Sequence, residues 1–470
     1  MPRLSRRALL GAAAAAGVAG LAGRPLAAQP TRPFVASDIG QLGRVLVHGV
    51  SPLDRAADRL SEDMLPYAES DLEAAAAQHQ ALFALLRAQG ATTIEVADAL
   101  DAAIAATRAS GVFEAWLSAS FPGIGVPHER VTAATILGRD PATRLRLGAD
   151  GSFRHMVDDS SSLMWTRDSA FMTPCGLVIG RSSSARRRRE NMLLRFLYRR
   201  SPLLADFPVA FDAVAEGLNL EGGDAMVVDQ KMLFLGVGNR TDPRIAPVLA
   251  QRLGMAQRLG MDVLTVTTYA RDFIPAPRPG APMPLRELRL LLLHLDTFFT
   301  LVGPRHALAT PFLLEEAHAE DGPYQRYIRG ARADTQLPAE DAEKALAMLK
   351  VFGRVTLFRA GTGARQDLGP TKLVDWVRKA GWTLTWVGGS RPAGDEAAFQ
   401  HMLGTVDPEL RRQAANVVQA TPGRVIAYAG NPATKAALEA DGIAVDTFAA
   451  RELWAWHGGP HCLTQPLERS

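Results

Sequence analysis

The feature that most constrains this chain is a pattern that occurs three times between residues 165 and 311. Each time, a short polar segment with a carboxylate precedes two apolar runs joined by a turn. The segments are WTRDSAFMTPCGLVIG, LEGGDAMVVDQKMLFLG and LHLDTFFTLVGPRHALATP. Apolar β-type runs separated by a short turn predict hairpins, here with the polar cluster at the mouth. A fourth copy is expected to begin at GGPHCLTQP, where a cysteine takes the carboxylate's place.

Helices and further strands are predicted around these hairpins. The helices are expected at Arg187–Arg199, at Asp242–Leu259 and at Pro432–Asp441, the last with Asn431 as its cap. MDVLTVTT and RVIAYAG are predicted strands, so the fold class is α/β with units of the ββαβ type. Repeats that cannot bury a core alone are stabilised by packing around a common axis. The polar clusters are therefore expected to converge near that axis.

The segment before the repeats is predicted to begin with a strand at Arg44–His48. A helix follows, with Ser70 as its cap and Gly90 at its end, and then the strand TTIEV. From about 98 to 147 the composition favours helix, which indicates an α-helical insertion. We expect one catalytic domain over residues 29–470 that contains this insertion.

The first 28 residues resemble an export signal. Arg6 and Arg7 stand side by side before an Ala/Gly-rich apolar stretch, and a small-residue site follows near Ala28. This pattern is typical of the twin-arginine signal, which exports folded proteins to the periplasm or the cell exterior. The apolar stretch is shorter than the roughly 18 to 20 residues that a membrane span requires. We expect no membrane association after export.

Charge and cysteine content exclude some functions and leave others open. A formal net charge of +3 is too small to indicate a nucleic-acid partner. The two cysteines, Cys175 and Cys462, could form a disulfide in an oxidising compartment, or Cys462 could be a free reactive thiol. The sequence leaves both alternatives open.

Convergence of the polar clusters would place several ionisable groups together. Carboxylates crowded in a site with little water repel one another and therefore require a cation. That cation could be a metal ion, since the cluster offers oxygen and nitrogen ligands, although no established metal-binding spacing occurs. The expected group consists of Asp168, Glu221, Asp224, His294, Asp296 and Cys462.

A guanidinium group is the other candidate cation. It is planar and permanently charged, and it forms forked hydrogen bonds with paired carboxylates. Its central carbon is a poor electrophile, so a thiolate nucleophile with a histidine for proton transfer would suit its chemistry. Cys462, His294 and the carboxylates would then serve one reaction.

The quoted motifs resemble those of the arginine deiminases, in the guanidino-modifying superfamily with the amidinotransferase fold. The matching segments are WTRD, EGGD, HLDT and GGPHCLTQP, in that order, and the resemblance covers nearly all of the chain after the signal. It implies a five-bladed α/β propeller, the pentein fold, with the active site on its axis. It also implies hydrolysis of L-arginine to L-citrulline and ammonia through a covalent thiouronium intermediate, without a metal or another cofactor.

The resemblance also implies roles for individual residues. Cys462 would be the nucleophile and His294 the acid and base, while Asp168 and Asp296 would bind the guanidinium and Glu221 would hold His294. The substrate's α-carboxylate would be bound by two arginines, and further residues would line the site. These substrate-binding positions are Arg187, Arg240, Ser162, Trp165, Asp224 and His457.

Two positions depart from the family pattern. Ser162 stands where the family usually has asparagine, and His457 where it usually has arginine on a gating loop. The preferred substrate could differ as a result. Alternatives are therefore a deiminase or amidinotransferase for another guanidino compound, a metal-dependent hydrolase, and a non-catalytic arginine-binding protein. A homo-oligomer is also left open.

Overall fold

The computed structural model describes residues 35–52, 71–121, 126–140, 145–147, 153–155, 161–184, 187–204, 207–255, 260–269, 292–334 and 337–470. The signal segment therefore lies outside the described residues. The described strands are β1 Leu42–Val47, β2 Thr92–Glu95, β3 Leu145–Leu147, β4 Phe153–His155, β5 Ala170–Thr173, β6 Gly176–Ile179, β7 Val209–Asp212, β8 Ala225–Asp229, β9 Met232–Val237, β10 Asp262–Thr267, β11 Phe299–Gly303, β12 His306–Ala309, β13 Arg354–Phe358, β14 Arg365–Lys372, β15 Thr383–Trp386, β16 Val418–Thr421, β17 Arg424–Tyr428, β18 Ala444–Phe448 and β19 Gln465–Arg469.

Helices connect these strands and lie around the sheets. The described α-helices are α1 Leu72–Ala88, α2 Val96–Thr107, α3 Val112–Ser120, α4 Ala133–Ile136, α5 Thr166–Ser169, α6 Arg188–Arg200, α7 Ala213–Glu216, α8 Ile245–Met255, α9 Pro323–Ala333, α10 Ala339–Val351, α11 Leu373–Lys379, α12 Asp395–His401, α13 Asp407–Arg411, α14 Pro432–Ala440 and α15 Arg451–Ala455. Among the described residues, none of the helices is both long and apolar enough to cross a membrane.

Five sheets share one arrangement, in which two antiparallel strands are followed by a third that is parallel to the second. The strand orders are β19-β1-β2, β5-β6-β7, β8-β9-β10, β11-β12-β15 and β16-β17-β18. Strands β13 and β14 extend the third of these sheets. The predicted mixed α/β architecture with strand–strand–helix–strand units is therefore present.

The three predicted hairpins are present, and each of their polar clusters forms a short helical turn at the mouth. Helix α5 leads into β5, the 3-10 turn Gly222–Asp224 leads into β8, and the 3-10 turn Leu295–Thr297 precedes β11. Because these turns occupy the same place in their units, their side chains project from equivalent ends of the sheets.

The predicted fourth copy is completed by a strand that lies far away in the sequence. β19 follows GGPHCLT, but its antiparallel partner is β1, with Val45 opposite Pro466 and Leu46 opposite Gln465. The sequence pattern could not show this pairing because the strands lie more than 400 residues apart. The fifth hairpin, β16 and β17, was missed as a hairpin, although β17 was predicted as a strand.

Several predicted element ends differ from the structure. The cap of α1 is Asp71, whose side chain accepts a hydrogen bond from the Ala74 N–H, rather than Ser70. Asn431 is the residue before α14, but its side chain makes no capping bond there. The region from 98 to 147 contains helices α2 to α4, and β3 lies at its end. β3 pairs with β4, a contact that the helical composition of this region does not indicate.

The core lies between the sheets and the helices that cover them. Strand β9 illustrates its composition, since Leu233, Phe234 and Leu235 are all fully buried. Phe234 packs edge-on against Trp376 of α11 and stacks with Trp382, with ring centroids 5.8 and 5.7 Å away. Continuous apolar runs are expected in strands that are covered on both faces.

Candidate active site

Three chain segments bring a cysteine, a histidine, an asparagine and an aspartate into direct contact. Cys462 Sγ donates to Asp296 Oδ2 at 3.3 Å and accepts from Asn416 Nδ2 at 3.1 Å. His461 Nδ1 lies 2.9 Å from the same Asp296 oxygen. All four side chains are at least 96% buried. The thiol is therefore buried, with a carboxylate on one side and an amide N–H on the other.

The imidazole of His294 lies between two other carboxylates. Its Nε2 is 2.9 Å from Glu221 Oε2, and its Nδ1 is 3.6 Å from Asp168 Oδ1. Glu221 Oε1 accepts hydrogen bonds from the hydroxyls of Ser182 and Ser183, at 2.9 and 3.0 Å. The histidine is thus oriented by Glu221, which is itself fixed in position.

Asp168 and Asp296 each keep one oxygen that makes no hydrogen bond to the described residues. Arg187 Nη1 donates to Asp168 Oδ2 at 2.7 Å, but Asp168 Oδ1 is buried and has no hydrogen-bond partner within the described part of the chain. The same holds for Asp296 Oδ1, while its Oδ2 binds Cys462 and His461. Buried polar atoms are rarely left unsatisfied, so these two oxygens mark a place for a hydrogen-bond donor.

Asp224 has a structural position at the mouth of the β8–β9 hairpin. Its Oδ2 accepts from Thr241 Oγ1 at 2.6 Å, and its Oδ1 accepts from the Leu295 N–H at 3.1 Å. The second bond joins the EGGD turn to the turn that carries His294. Burial raises the pKa of Asp224 to about 7, and the charge of His294 only partly opposes this effect.

Charges in the site shift the pKa values of His294 and Cys462. Burial opposes protonation of His294, but the carboxylates of Asp168 and Glu221 outweigh it and raise the pKa to about 9. Burial and the nearby Asp296 and Asp168 raise the pKa of the Cys462 thiol well above its usual value. A cation bound between the two aspartates would oppose that shift, because it would favour the thiolate.

Two glycines let the backbone approach these side chains closely. A Cβ on Gly223 would lie 2.6 Å from His294 Nδ1 and 3.0 Å from Asp168 Oδ1. A Cβ on Gly458 would lie 2.3 Å from the indole of Trp165. The EGGD and HGGPHC motifs therefore require glycine at these positions for lack of space.

The predicted substrate-binding arginines lie beside the acidic groups. Arg187 bonds both Asp168 and Glu190, and its Nη2 is 2.9 Å from Glu190 Oε2. Arg240 Nη1 is 3.8 Å from Glu221 Oε1, and its side chain is 20% exposed. Burial lowers the pKa of Arg187, but the negative charges of Glu190 and Asp168 outweigh this effect and raise the pKa well above its usual value.

The remaining predicted positions surround the same region. Trp165 is buried against Gly458, and His457 has a left-handed backbone with φ of 63°. Burial and the charge of Arg411 lower the pKa of His457 to about 4, so it is neutral at neutral pH. Ser162 lies in the 3-10 turn Ser161–Met164, and its side chain is outside the described part of the structure.

Three site residues were missed by the sequence reasoning. His461 stands next to the cysteine in the quoted motif, and only its contact with Asp296 makes it relevant. Asn416 directly precedes the hairpin VVQATPGRVIAY, so recognition of that fifth hairpin would have found it. Glu190 lies three residues after Arg187, and this spacing in the sequence does not indicate that Glu190 belongs to the site.

Three ligand atoms are also close enough to hold a metal ion. They belong to Asp168, Glu221 and His294, and they lie within 4.8 Å of one another. Arg187 and Arg240 already place positive charge beside two of these carboxylates. That charge opposes a second, divalent cation at the same position.

The cysteines are not joined. Cys175 and Cys462 are both free, and the thiol of Cys175 donates to the Leu253 carbonyl at 3.3 Å inside the core. The disulfide alternative is therefore wrong for this structure, and Cys462 is available as a thiol.

Comparisons with known proteins agree with the motifs. The sequence model of the family described as "Arginine deiminase" matches residues 131–268 and 405–469. A putative arginine deiminase of Mycoplasma pneumoniae is 26% identical over 458 residues, covering 93% of this chain and 98% of the relative. The arginine deiminase of Metamycoplasma arthritidis is 26% identical over 457 residues, covering 93% of this chain and 96% of the relative.

Among solved structures, the N-terminal domain of ArgZ, an arginine dihydrolase from cyanobacteria, aligns with a TM-score of 0.47 and 12% identity. The alignment covers 91% of this chain and 98% of that domain. The segments that the family model matches include those that carry Asp168, Glu221 and Cys462.

Proposed function

We propose that this protein is an arginine deiminase, a hydrolase that converts L-arginine and water to L-citrulline and ammonia. One observation carries the proposal: Asp168 and Asp296 each have a buried oxygen beside Cys462 and His294 that has no hydrogen-bond partner among the described residues. Two carboxylate oxygens of this kind suit the N–H groups of a guanidinium. Relatives that match over more than nine tenths of the chain carry the same name.

The reaction follows from these positions. The thiolate of Cys462 attacks the guanidinium carbon and forms a C–S bond. The C–N bond then breaks, and ammonia leaves with a proton from His294, which is protonated at neutral pH because of its raised pKa. Water next attacks the thiouronium carbon and gives a proton to His294. The C–S bond breaks, citrulline is released and the thiolate is restored.

Selectivity for the α-carboxylate is proposed to depend on Arg187. Its guanidinium donates to one oxygen of Asp168, in the same way as a substrate guanidinium would. Substrate that takes over Asp168 would release Arg187 Nη1, while Glu190 keeps hold of the rest of the group. A substrate with a carboxylate could bind the released N–H groups, whereas agmatine could not. Arg240 would supply the second positive charge.

The test is an assay of ammonia and citrulline on the purified protein. Cys462→Ser should abolish citrulline formation, because the hydroxyl is a far weaker nucleophile than the thiolate. Cys175→Ser is the matched control and should keep activity, since that thiol contacts only the core. Citrulline formation by a folded Cys462→Ser variant would rule out this mechanism.

The same assay separates the competing functions. Parallel reactions with agmatine and with arginine plus glycine would reveal a different guanidino substrate or amidino transfer. A metal-dependent hydrolase would lose activity to a chelator and keep it after thiol alkylation, the opposite of what we expect. Arginine binding without ammonia release would indicate a non-catalytic binding protein.

We also propose that the five sheets close into a five-bladed propeller. Hydrogen bonds between neighbouring units support closure: the Arg167 N–H bonds the Cys462 carbonyl, the Leu295 N–H bonds Asp224, and Asn416 bonds both the Asp296 carbonyl and the Cys462 N–H. An electron-density map with five blades around one axis is the expected result. An open arrangement of the sheets would contradict it.

Export by the twin-arginine route is a further part of the proposal. Arg6 and Arg7 in front of the apolar stretch support it. Residues 1–28 fused to a folded reporter should export it, and replacement of both arginines by lysine should retain the reporter in the cytoplasm. Export that persists after this replacement would exclude the twin-arginine route.

A further inference from the structure

Asn416 occupies a position in its unit that is equivalent to those of the acidic and sulfur groups in the other four. Asp168 precedes β5, Glu221 precedes β8 and Asp296 precedes β11, each within a few residues. Cys462 precedes β19 and Asn416 precedes β16 in the same way. Every one of the five units thus contributes a polar side chain from the same end.

The orientation of the Asn416 amide is fixed by two backbone groups. Its Oδ1 accepts from the Cys462 N–H at 3.1 Å, and its Nδ2 donates to the Asp296 carbonyl at 3.0 Å. A flipped amide would bring two donors together and two acceptors together. The atom 3.1 Å from Cys462 Sγ is therefore the nitrogen, and it offers an N–H to the sulfur.

This donor faces a sulfur whose carboxylate neighbours disfavour negative charge. In the thiol form, Sγ donates to Asp296 Oδ2 at 3.3 Å. Ionisation moves the thiol proton to water and leaves the electron pair on sulfur, so that the sulfur and Asp296 repel each other. The Gly459 backbone N–H also donates to Sγ. Among the described residues that contact the sulfur, Asn416 is the one whose side chain can donate a hydrogen bond to the thiolate.

We propose that Asn416 is a catalytic residue that stabilises the thiolate of Cys462 by donating its amide N–H to the sulfur. A role of Asn416 in catalysis rests on the proposed function, whereas its effect on the ionisation of the sulfur does not. Asn416 also holds the nucleophile turn in place, since the His461 N–H bonds its carbonyl oxygen and the Cys462 N–H bonds its side chain.

The test is the pH dependence of alkylation of Cys462 by iodoacetamide, followed by mass spectrometry of the peptide that contains it. Asn416→Asp keeps the acceptor for the Cys462 N–H and replaces the N–H donor by a carboxylate oxygen. We expect alkylation at pH 7 to slow about tenfold or more, with the midpoint about one pH unit higher. Asn431→Asp is the matched control, because Asn431 is also buried but donates to the Arg412 carbonyl, and its profile should be unchanged.

A folded Asn416→Asp protein with the alkylation rate and pH midpoint of the natural chain would overturn the proposal. If Asn416→Asp does not fold, Asn416→Ser gives the same comparison without an added charge, since its hydroxyl is too short to reach the sulfur. The alkylation assay contains no guanidino compound. A shifted profile in a protein that makes no citrulline would therefore contradict only the deiminase function.

Discussion

At the scale of single residues, function depends on how closely backbone and side chains approach one another. The imidazole of His294 has carboxylates on both sides and a glycine against its ring. The sulfur of Cys462 has a carboxylate on one side and an amide on the other. Changes of one heavy atom at these contacts should affect turnover more than stability.

Gly223→Ala is expected to reduce kcat/KM by at least about tenfold with the fold retained. The added Cβ would lie 2.6 Å from His294 Nδ1, so the imidazole must move out of its position between Asp168 and Glu221. Citrulline assays with circular dichroism as the check on folding measure this effect. Gly330→Ala is the control, because nothing lies within 4 Å of its Cβ position and it is exposed in α9. It should leave activity unchanged and stabilise the helix by about 0.5 to 1 kcal/mol. Full activity in Gly223→Ala would contradict the close approach.

The raised pKa of His294 makes stability depend on pH. A group with a folded pKa of about 9, above its ordinary value of 6.5, stabilises the fold fully below pH 6.5 and loses that effect as pH rises to 9. The free energy of unfolding should therefore fall between pH 6.5 and 9, and His294→Gln should reduce this slope. Asp224, with a pKa of about 7, acts mainly below this window. Urea unfolding of both proteins across the window measures the difference, and equal slopes would show that His294 is not protonated in the fold.

At the scale of elements, the helical turns at the hairpin mouths are joined by hydrogen bonds between buried side chains and backbone groups. Thr241 is the clearest case. Its hydroxyl donates to Asp224 and accepts from the Glu221 N–H, so it joins the segment before α8 to the EGGD turn. Asp224 in turn binds the turn that carries His294. The relative position of Glu221 and His294 is thus set through non-reacting residues.

Thr241→Val is expected to lower the free energy of unfolding by about 1 to 3 kcal/mol, because a buried carboxyl oxygen and a buried N–H lose their partner. Activity should fall as well, since the two turns are no longer tied together. The exposed Thr383 at the start of β15 gives the matched control Thr383→Val, which we expect to change stability by less than about 0.5 kcal/mol. Chemical denaturation measures the stability of both variants. A Thr241→Val protein as stable as the control would show that the hydrogen bonds of Thr241 do not stabilise the fold.

At the scale of the whole molecule, the first and the last strands of the described residues lie in one sheet. β19 pairs with β1 although more than 400 residues separate them, and Leu467 and Arg469 are buried there. The guanidinium of Arg469 bonds the Gly40 carbonyl at 2.9 Å and also the Gln419 carbonyl, so it joins the first unit to the fifth. The strand that follows Cys462 therefore also completes the fold.

Deletion of residues 465–470 should prevent cooperative folding, because it removes β19 and exposes one edge of β1. Thermal unfolding by circular dichroism, together with the soluble yield, measures this outcome. Deletion of Ser470 alone is the control, and it should cost little because that residue is exposed. A truncated protein with the melting temperature of the full chain would show that closure by β19 is dispensable.

The sequence by itself determined the repeated hairpins, the α/β class and most of the groups that converge, because apolar periodicity and motif spacing are local properties. It could not determine the pairing of β19 with β1, the contact of Arg187 with Asp168, or the place of Asn416 beside the sulfur. Those contacts join residues that are far apart in the chain or whose type gives no signal, as with a single asparagine before a strand. Only the tertiary structure brings such residues within hydrogen-bonding distance, because burial and the arrangement of the units decide which side chains meet.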